Sequence, residues 1–145
     1  MSTLRKLLKE KGYIRIPLKT TATNHLEVKA AINGVEGNFI LDTGASSSCV
    51  GINTAEYFKL FAEDSDIKAA GAGATDMLTQ VSLKNTLQIE SWEKKKVSLV
   101  LFDLSHVNQA LENHNADQVH GIIGADMLEK GKAVIDYKSK CLYLR

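Results

Sequence analysis

Residues 38–50 read "NFILDTGASSSCV". The apolar run Phe39-Ile40-Leu41 drives directly into a carboxylate, Asp42, and then into Thr43 and Gly44 before small residues resume. An Asp in this setting has two readings. It can shape a turn by bonding its own backbone two residues on, or it can be a strand-end acid held for chemistry. At average residue frequencies a given tripeptide recurs by chance about once in several thousand positions, so D-T-G alone favours the turn. The apolar lead-in shifts the balance, because it predicts that Asp42 sits at a strand end inside the protein. A buried, unpaired carboxylate is costly, and no Arg or Lys lies near in sequence to pair with it. A second Asp from another chain, sharing one proton with the first, would remove that cost.

Working outward, the flanks are built of strand signals. "HLEVKAAI" alternates Leu26, Val28 and Ala30 before Asn33-Gly34, a strong hairpin signal, and Val35 to Leu41 forms the returning strand that delivers Asp42. Upstream, "YIRIPL" alternates as well, and Pro17 suggests a sheet edge. Residues 2–11 have leucines at 4, 7 and 8, the stripe of a short helix ended by Gly12. Downstream, Asn53 and Glu56 resemble a capping box and predict a helix over 54–62. "DIKAAGAGATDMLTQVSL" reads as two strands around the small-residue tip Gly71-Ala72-Gly73-Ala74. Further strands are expected at 86–91 and 96–102 with a polar turn near Trp92-Glu93, a helix at 105–113, and a loop at "NHNADQ". "VHGIIGADMLEKG" runs Ile122-Ile123 into Gly124 and a short helix through Leu128 that stops at Gly131. "AVIDY" and "CLYLR" close the chain as a strand pair around Lys138-Ser139-Lys140. Many short strands without β-α-β alternation predict an all-β closed barrel or sandwich with a few short helices.

The chain's 145 residues suit one domain. A net charge of +1, with 44% hydrophobic and 24% charged residues, provides no pull toward nucleic acid or an anionic membrane surface. The lysines at Lys94-Lys95-Lys96 and at Lys138/Lys140 read as solvated turns or strand ends. No stretch approaches a membrane span, and the N-terminal leucine stripe is not a signal-peptide core, so a cytoplasmic protein is expected. Cys49 and Cys141 are far apart and outside any C-x-x-C, which suits reduced, packed thiols. His25, His106, His114 and His120 lack zinc-ligand spacing, and Gly71-x-Gly73 lacks a third glycine, so neither a metal nor a phosphate-binding cofactor loop is expected.

Taken together, "FILDTGASSSCV", the Gly-rich tip at 71–74 and "GIIGADML" followed by "AVIDY" resemble a retropepsin-like aspartic protease over roughly Thr23 to Arg145. Residues 1–12 and "SHVNQALENHNADQ" fall outside the resemblance. The resemblance implies that Asp42, Thr43 and Gly44 are the catalytic turn, that Gly71, Ala72, Gly73 and Ala74 form a flap over substrate, and that Ile122, Ile123 and Gly124 pack behind the active-site loop. It also gives Asp126 a structural role. Thr43 would bond across a dimer axis, and Ala45 stands where many relatives carry a serine that stabilises the ionised Asp. Only one D-T-G is present, so the resemblance implies a homodimer in which Asp42 of each protomer faces its copy. The substrate would be a peptide or protein, held in a cleft lined by apolar residues such as Ile67, Met77, Leu78 and Ile123. His120 is expected in a surface or loop role rather than in catalysis, and Trp92 in packing.

Two other readings stay open at this point. One is a retropepsin-like domain without activity that serves as a dimerisation or peptide-binding module. The other is a monomeric β-barrel in which residues 42–44 form an Asx-turn and nothing more.

Overall fold

A computed structural model describes residues 3–69 and 77–145; the side chains of residues 65–69, 77 and 78 also fall outside the description. The Gly71-Ala72-Gly73-Ala74 tip therefore lies outside the described residues, as do the side chains of Ile67, Met77 and Leu78.

The Asn33-Gly34 signal forms as read. Strands β3 (Leu26–Ile32) and β4 (Val35–Leu41) pair antiparallel from Ile32↔Val35 to Leu26↔Leu41, and both turn residues have positive φ, 51° and 84°. That double positive φ is the geometry that Asn-Gly adopts at little steric cost. The rest of the barrel follows from this hairpin. β4 runs parallel to β9 (Gly121–Ile123), β9 antiparallel to β5 (Cys49–Gly51), and β5 parallel to β8 (Trp92–Phe102). β8 is antiparallel to β7 (Met77–Ile89), and β7 returns to β3 through Ala31↔Gln88 and Ile32↔Leu87. Six strands thus close on themselves, with β2 (Lys19–Thr20) laid on β3 and β6 (Glu63–Ala69) on β7. A separate three-stranded sheet has β11 (Cys141–Leu144) between β1 (Ile14–Pro17) and β10 (Val134–Asp136), which puts Pro17 on an edge strand as its missing N–H requires.

Two faces of the barrel wall are covered, and this explains the apolar run before Asp42. Phe39 and Leu41 point into the main core with Val28, Val50, Leu99, Leu101 and Ile123. Ile40 points the other way, into a second cluster with Cys49, Val100, Phe102, Leu111 and Ile122 beneath α2 (Ser105–Asn113). A strand buried on both faces reads as a continuous apolar run. The run therefore reflects two-sided burial of β4, and the expectation that it carries Asp42 into the interior is overturned: Asp42, Thr43 and Gly44 are all exposed. Asn108 ties the covering helix down, donating to the Val119 carbonyl at 3.2 Å and accepting the Val119 N–H at 2.8 Å.

Three local expectations are corrected. The helix expected over 54–62 is a 3-10 turn, Ile52–Thr54, followed by one turn that stops at Lys59. Leu60 N–H bonds the Ala55 carbonyl and Lys59 N–H the Glu56 carbonyl, with Lys59 at φ 57°, the hydrogen-bond pattern of a helix terminus. Gly51, not Asn53, occupies the N-cap, so the capping box is not made. The separate strands expected on either side of residue 84 are one 13-residue strand, β7, with its register shifted around Asn85 and Lys84 at φ 62°. Asn85 is buried there and donates to the Ser82 carbonyl and hydroxyl, which satisfies the polar groups the bulge releases. The turn expected at Trp92-Glu93 falls instead at Glu90-Ser91; Trp92 pairs with Ile89 and is buried, its indole N–H bonding the Arg145 carbonyl.

The helices at the ends agree with the sequence reading. α1 (Thr3–Glu10) ends at Gly12, φ 88°, with Tyr13 N–H on the Leu8 carbonyl, and its Leu8 packs on Cys141 and Tyr143. α3 (Ala125–Lys130) stops at Gly131. Both cysteines are free and buried. No helix among the described residues is long and apolar enough to cross a membrane.

Candidate active site

The D-T-G turn hangs from the end of β4 and is held from behind by β9 and α3. Parallel pairing aligns Phe39, Ile40 and Leu41 with Gly121, Ile122 and Ile123. The ladder continues one bond further, from Asp42 N–H to the Ile123 carbonyl at 2.9 Å. Within the turn, Gly44 N–H donates to Asp42 Oδ1 at 2.9 Å and Ala45 N–H to the Asp42 carbonyl at 3.2 Å. The Asx-turn is thus real, and it fixes one carboxylate oxygen while Oδ2 has no hydrogen-bond partner among the described residues. A Cβ at Gly44 would lie 3.3 Å from Oδ1, tighter than most such contacts, so glycine suits the approach.

Behind the turn the chain is pressed close. Ala125 N–H donates to the Ala45 carbonyl at 2.7 Å, and a Cβ on Gly124 would lie 2.6 Å from that same oxygen. Gly121 is tighter still, where a Cβ would overlap the Cys49 carbonyl oxygen. These glycines are required by backbone approach, not by unusual φ.

Ser48 completes the support and escaped the sequence reading. It is fully buried. Its N–H and hydroxyl both donate to Asp126 Oδ1, at 2.9 and 2.7 Å, and its oxygen accepts the Gly124 N–H at 2.8 Å. Asp126 Oδ1 also accepts the Met127 N–H. One buried hydroxyl therefore ties the far end of the active-site loop to the start of α3. Three consecutive serines, with nothing in their spacing to tell one from another, gave no signal for it. Cys49 follows on, and its burial, with lesser repulsion from Asp126 and Asp42, pushes the thiol from 9.0 up to about 12. It is a packed apolar group, not a nucleophile.

Asp42 and Thr43 line a cleft of roughly 430 Å³ whose other walls are Thr20, Asn24, His25, Leu26, Leu41, Ile135, Tyr137 and Lys140. A second, mostly apolar groove of roughly 360 Å³ shares Thr43 and Ile135 and continues over Ala125, Leu128 and Ala133, with Glu129 and Lys132 at its margin. The Thr43 hydroxyl has no hydrogen-bond partner among the described residues and stands between the two. Ile123 is in the core and lines neither. His120 sits in the loop that leads into β9, as expected, but it is not on the open surface and does not line Asp42's cleft. Its half-buried ring stacks on Tyr57 (5.3 Å, 7°), meets Phe58 edge-on, and accepts the Asn38 N–H at Nδ1. The aromatic pair it packs on comes from the turn that was expected to be a helix, so its burial was not visible in advance.

Comparison with known proteins gives one family and one fold. A family model described as aspartyl protease matches residues 28–127, which include the D-T-G turn and the Ile122-Ile123-Gly124 segment and end before the terminal hairpin. No curated protein sequence matches the chain. Among solved structures, the retropepsin-like aspartic protease from Rickettsia conorii is similar at a TM-score of 0.58 and 21% identity, with 92% of this chain and 90% of that one covered. The EIAV protease complexed with the inhibitor HBY-793 is similar at a TM-score of 0.59 and 18% identity, covering 77% of this chain and 92% of that one. The retroviral protease-like domain of Ddi1 from Leishmania major gives 0.57 and 20%, covering 83% and 87%. At these identities the structures establish a retropepsin-like fold.

Proposed function

The chain belongs to the aspartyl protease family, and from that premise we propose that it is an aspartic endopeptidase whose single site is assembled from two Asp42 residues in a homodimer. The observation that carries the proposal is the presentation of Asp42. Its backbone is fixed by Ile123 and its Oδ1 by Gly44, yet its Oδ2 is unpartnered, the residue is exposed, and its neighbour Thr43 lines a groove with few polar walls. A second copy laid over Thr43, Leu128 and Ile135 would cover that groove and bring its own Asp42 to the first.

The chemistry follows from the pairing. Two carboxylates about 3 Å apart repel by roughly 5 kcal/mol at an effective dielectric near 20, so one retains a proton. The ionised Asp42 removes a proton from a shared water as the water oxygen bonds to the peptide carbonyl carbon. The protonated Asp42 gives its proton to the developing oxyanion. Collapse of the tetrahedral intermediate breaks the C–N bond, with a proton delivered to the leaving nitrogen. The two pKa values belong to the pair, not to either protomer. The Gly71–Ala74 tip, read from the sequence as a flap, would close over the peptide and exclude water.

The test is a mixed peptide library incubated with the wild-type chain and with Asp42→Asn. Cleavage by the first and not the second is the expected result. Equal cleavage by both would remove Asp42 from the mechanism. Binding without cleavage would make the protein a peptide-binding module.

A further inference from the structure

The terminal hairpin, outside the matched family region, brings a positioned cation into the cleft that Asp42 lines. Lys140 stands at φ 52°, its carbonyl accepts the Leu18 N–H at 2.9 Å, and its ammonium lies 5.6 Å from the centre of the Tyr137 ring. Backbone and stem are thus both located, and the charge rests on an aromatic face that suits it. No carboxylate pairs with it: the ion pairs among the described residues are Lys19–Asp117 and Lys29–Glu36. The nearest acid in sequence, Asp136, is engaged elsewhere. Its Oδ1 accepts the Ser139 and Lys138 N–H groups, and the Ser139 bond foremost holds its carboxyl below the usual range. His25 faces the same cleft and is fixed by hydroxyls, its Nδ1 bonded to Thr23 Oγ1 at 2.7 Å and its N–H to Thr21 Oγ1 at 3.1 Å. Among the described residues, the one carboxylate lining this cleft is Asp42, which the catalytic reading commits to the scissile peptide.

We propose that this cleft is a subsite for an acidic side chain of the substrate, with Lys140 as its specificity-determining residue. The inference rests on the proteolytic reading above and gives it a substrate class: peptides carrying Asp or Glu close to the cleaved bond. A concave wall bearing an unpaired cation attracts a carboxylate more strongly than a flat surface does, and a charge-assisted hydrogen bond adds direction.

The experiment uses end-blocked fluorogenic peptides, acetylated and amidated so that only side chains carry charge, differing by Glu, Gln or Lys at each position around the cleaved bond. At one position the wild type is expected to favour Glu over Gln by about three- to tenfold in kcat/KM, the range of a partly exposed charge pair. The ratio should shrink in high salt and invert toward Lys in Lys140→Glu. Equal ratios in the two chains, with cleavage still dependent on Asp42, would overturn the subsite and leave the protease standing. If no peptide is cleaved, the proteolytic reading fails, and binding of the same peptides decides: tighter binding of the Glu peptide to wild type than to Lys140→Glu supports an anion-selective cleft, and equal binding overturns it. Sedimentation is run alongside, and a Lys140→Glu chain that loses self-association present in the wild type would also overturn it, by assigning Lys140 to the subunit contact.

Discussion

Gly124 lies so close to Ala45 that a single added methyl group would stand 2.6 Å from the Ala45 carbonyl oxygen. Because that oxygen also accepts the Ala125 N–H, the contact couples the start of α3 to the loop that carries Asp42. The obstacle is backbone on both sides, so neither can swing away as a side chain would.

Gly124→Ala should therefore displace the Asp42 turn. Overpacking of this kind costs about 1–3 kcal/mol, which a denaturant titration reads as a lower midpoint at unchanged slope. Activity should fall by more than the loss of folded chain explains, since a displacement of about 1 Å at a catalytic group can cost a hundredfold. A variant with wild-type stability and wild-type kcat would contradict the coupling.

Ser48→Ala probes the same support from its other side. It removes the acceptor of the buried Gly124 N–H and one of the donors to Asp126. Leaving a buried group unsatisfied costs about 1–3 kcal/mol, measurable as a shift in thermal or denaturant midpoint, whereas Ser46→Ala, at an exposed position, should stay within about 0.5 kcal/mol of wild type. Equal effects of the two would show that the hydroxyl at 48 is not the tie.

Ala45 bears on acidity. The resemblance to retropepsin-like proteases implies that a serine here would donate to Asp42, so under the proposed mechanism a chain with Ala45 is expected to act nearer neutral than gastric pH. Ala45→Ser supplies the donor, favours the anion, and should move the acidic limb of the kcat/KM profile to lower pH. A wild-type optimum below pH 3, or a limb that does not move, would sink this account.

Cys49 makes the opposite kind of prediction, one of silence. Burial raises its thiol from 9.0 to about 12, so the native chain should resist alkylation at pH 8 while the chain in guanidinium is labelled. The sign for stability follows from the same shift. The folded state holds the thiol proton beyond the pH at which the unfolded state releases it. Its contribution is complete below about pH 9 and is lost as pH rises toward about 12. Cys49→Val should flatten the alkaline fall in stability, and alkylation of the folded chain at neutral pH would contradict the burial argument.

Local pattern carried much of this architecture. Asn33-Gly34 specified its hairpin because two positive φ values are cheap there, and Pro17 announced an edge. The D-T-G turn was legible because Asp and Gly make that turn through their own atoms. What the sequence hid were relations across the chain. The apolar run before Asp42 reflects α2 covering Ile40 from a segment more than sixty residues away. Ser48, Gly124 and Asp126 meet only after β9 has inserted between β4 and β5. Asn85 gave no sign of its bulge, since its partners Asn33 and Ser82 come from the β3–β4 turn and from the far side of the kink. Lys140 looked like a solvated turn lysine until the terminal hairpin folded it into the cleft of Asp42.

The central claim, that one site needs two copies of Asp42, is tested most directly by mixing. Wild-type and Asp42→Asn chains are combined in varying ratio, allowed to exchange subunits, and assayed on a cleavable peptide at fixed total chain. If each site takes one Asp42 from each protomer, activity follows the square of the wild-type fraction, so an equal mixture gives about a quarter of the full rate. A rate that falls in simple proportion, to about half, would mean that each chain works alone.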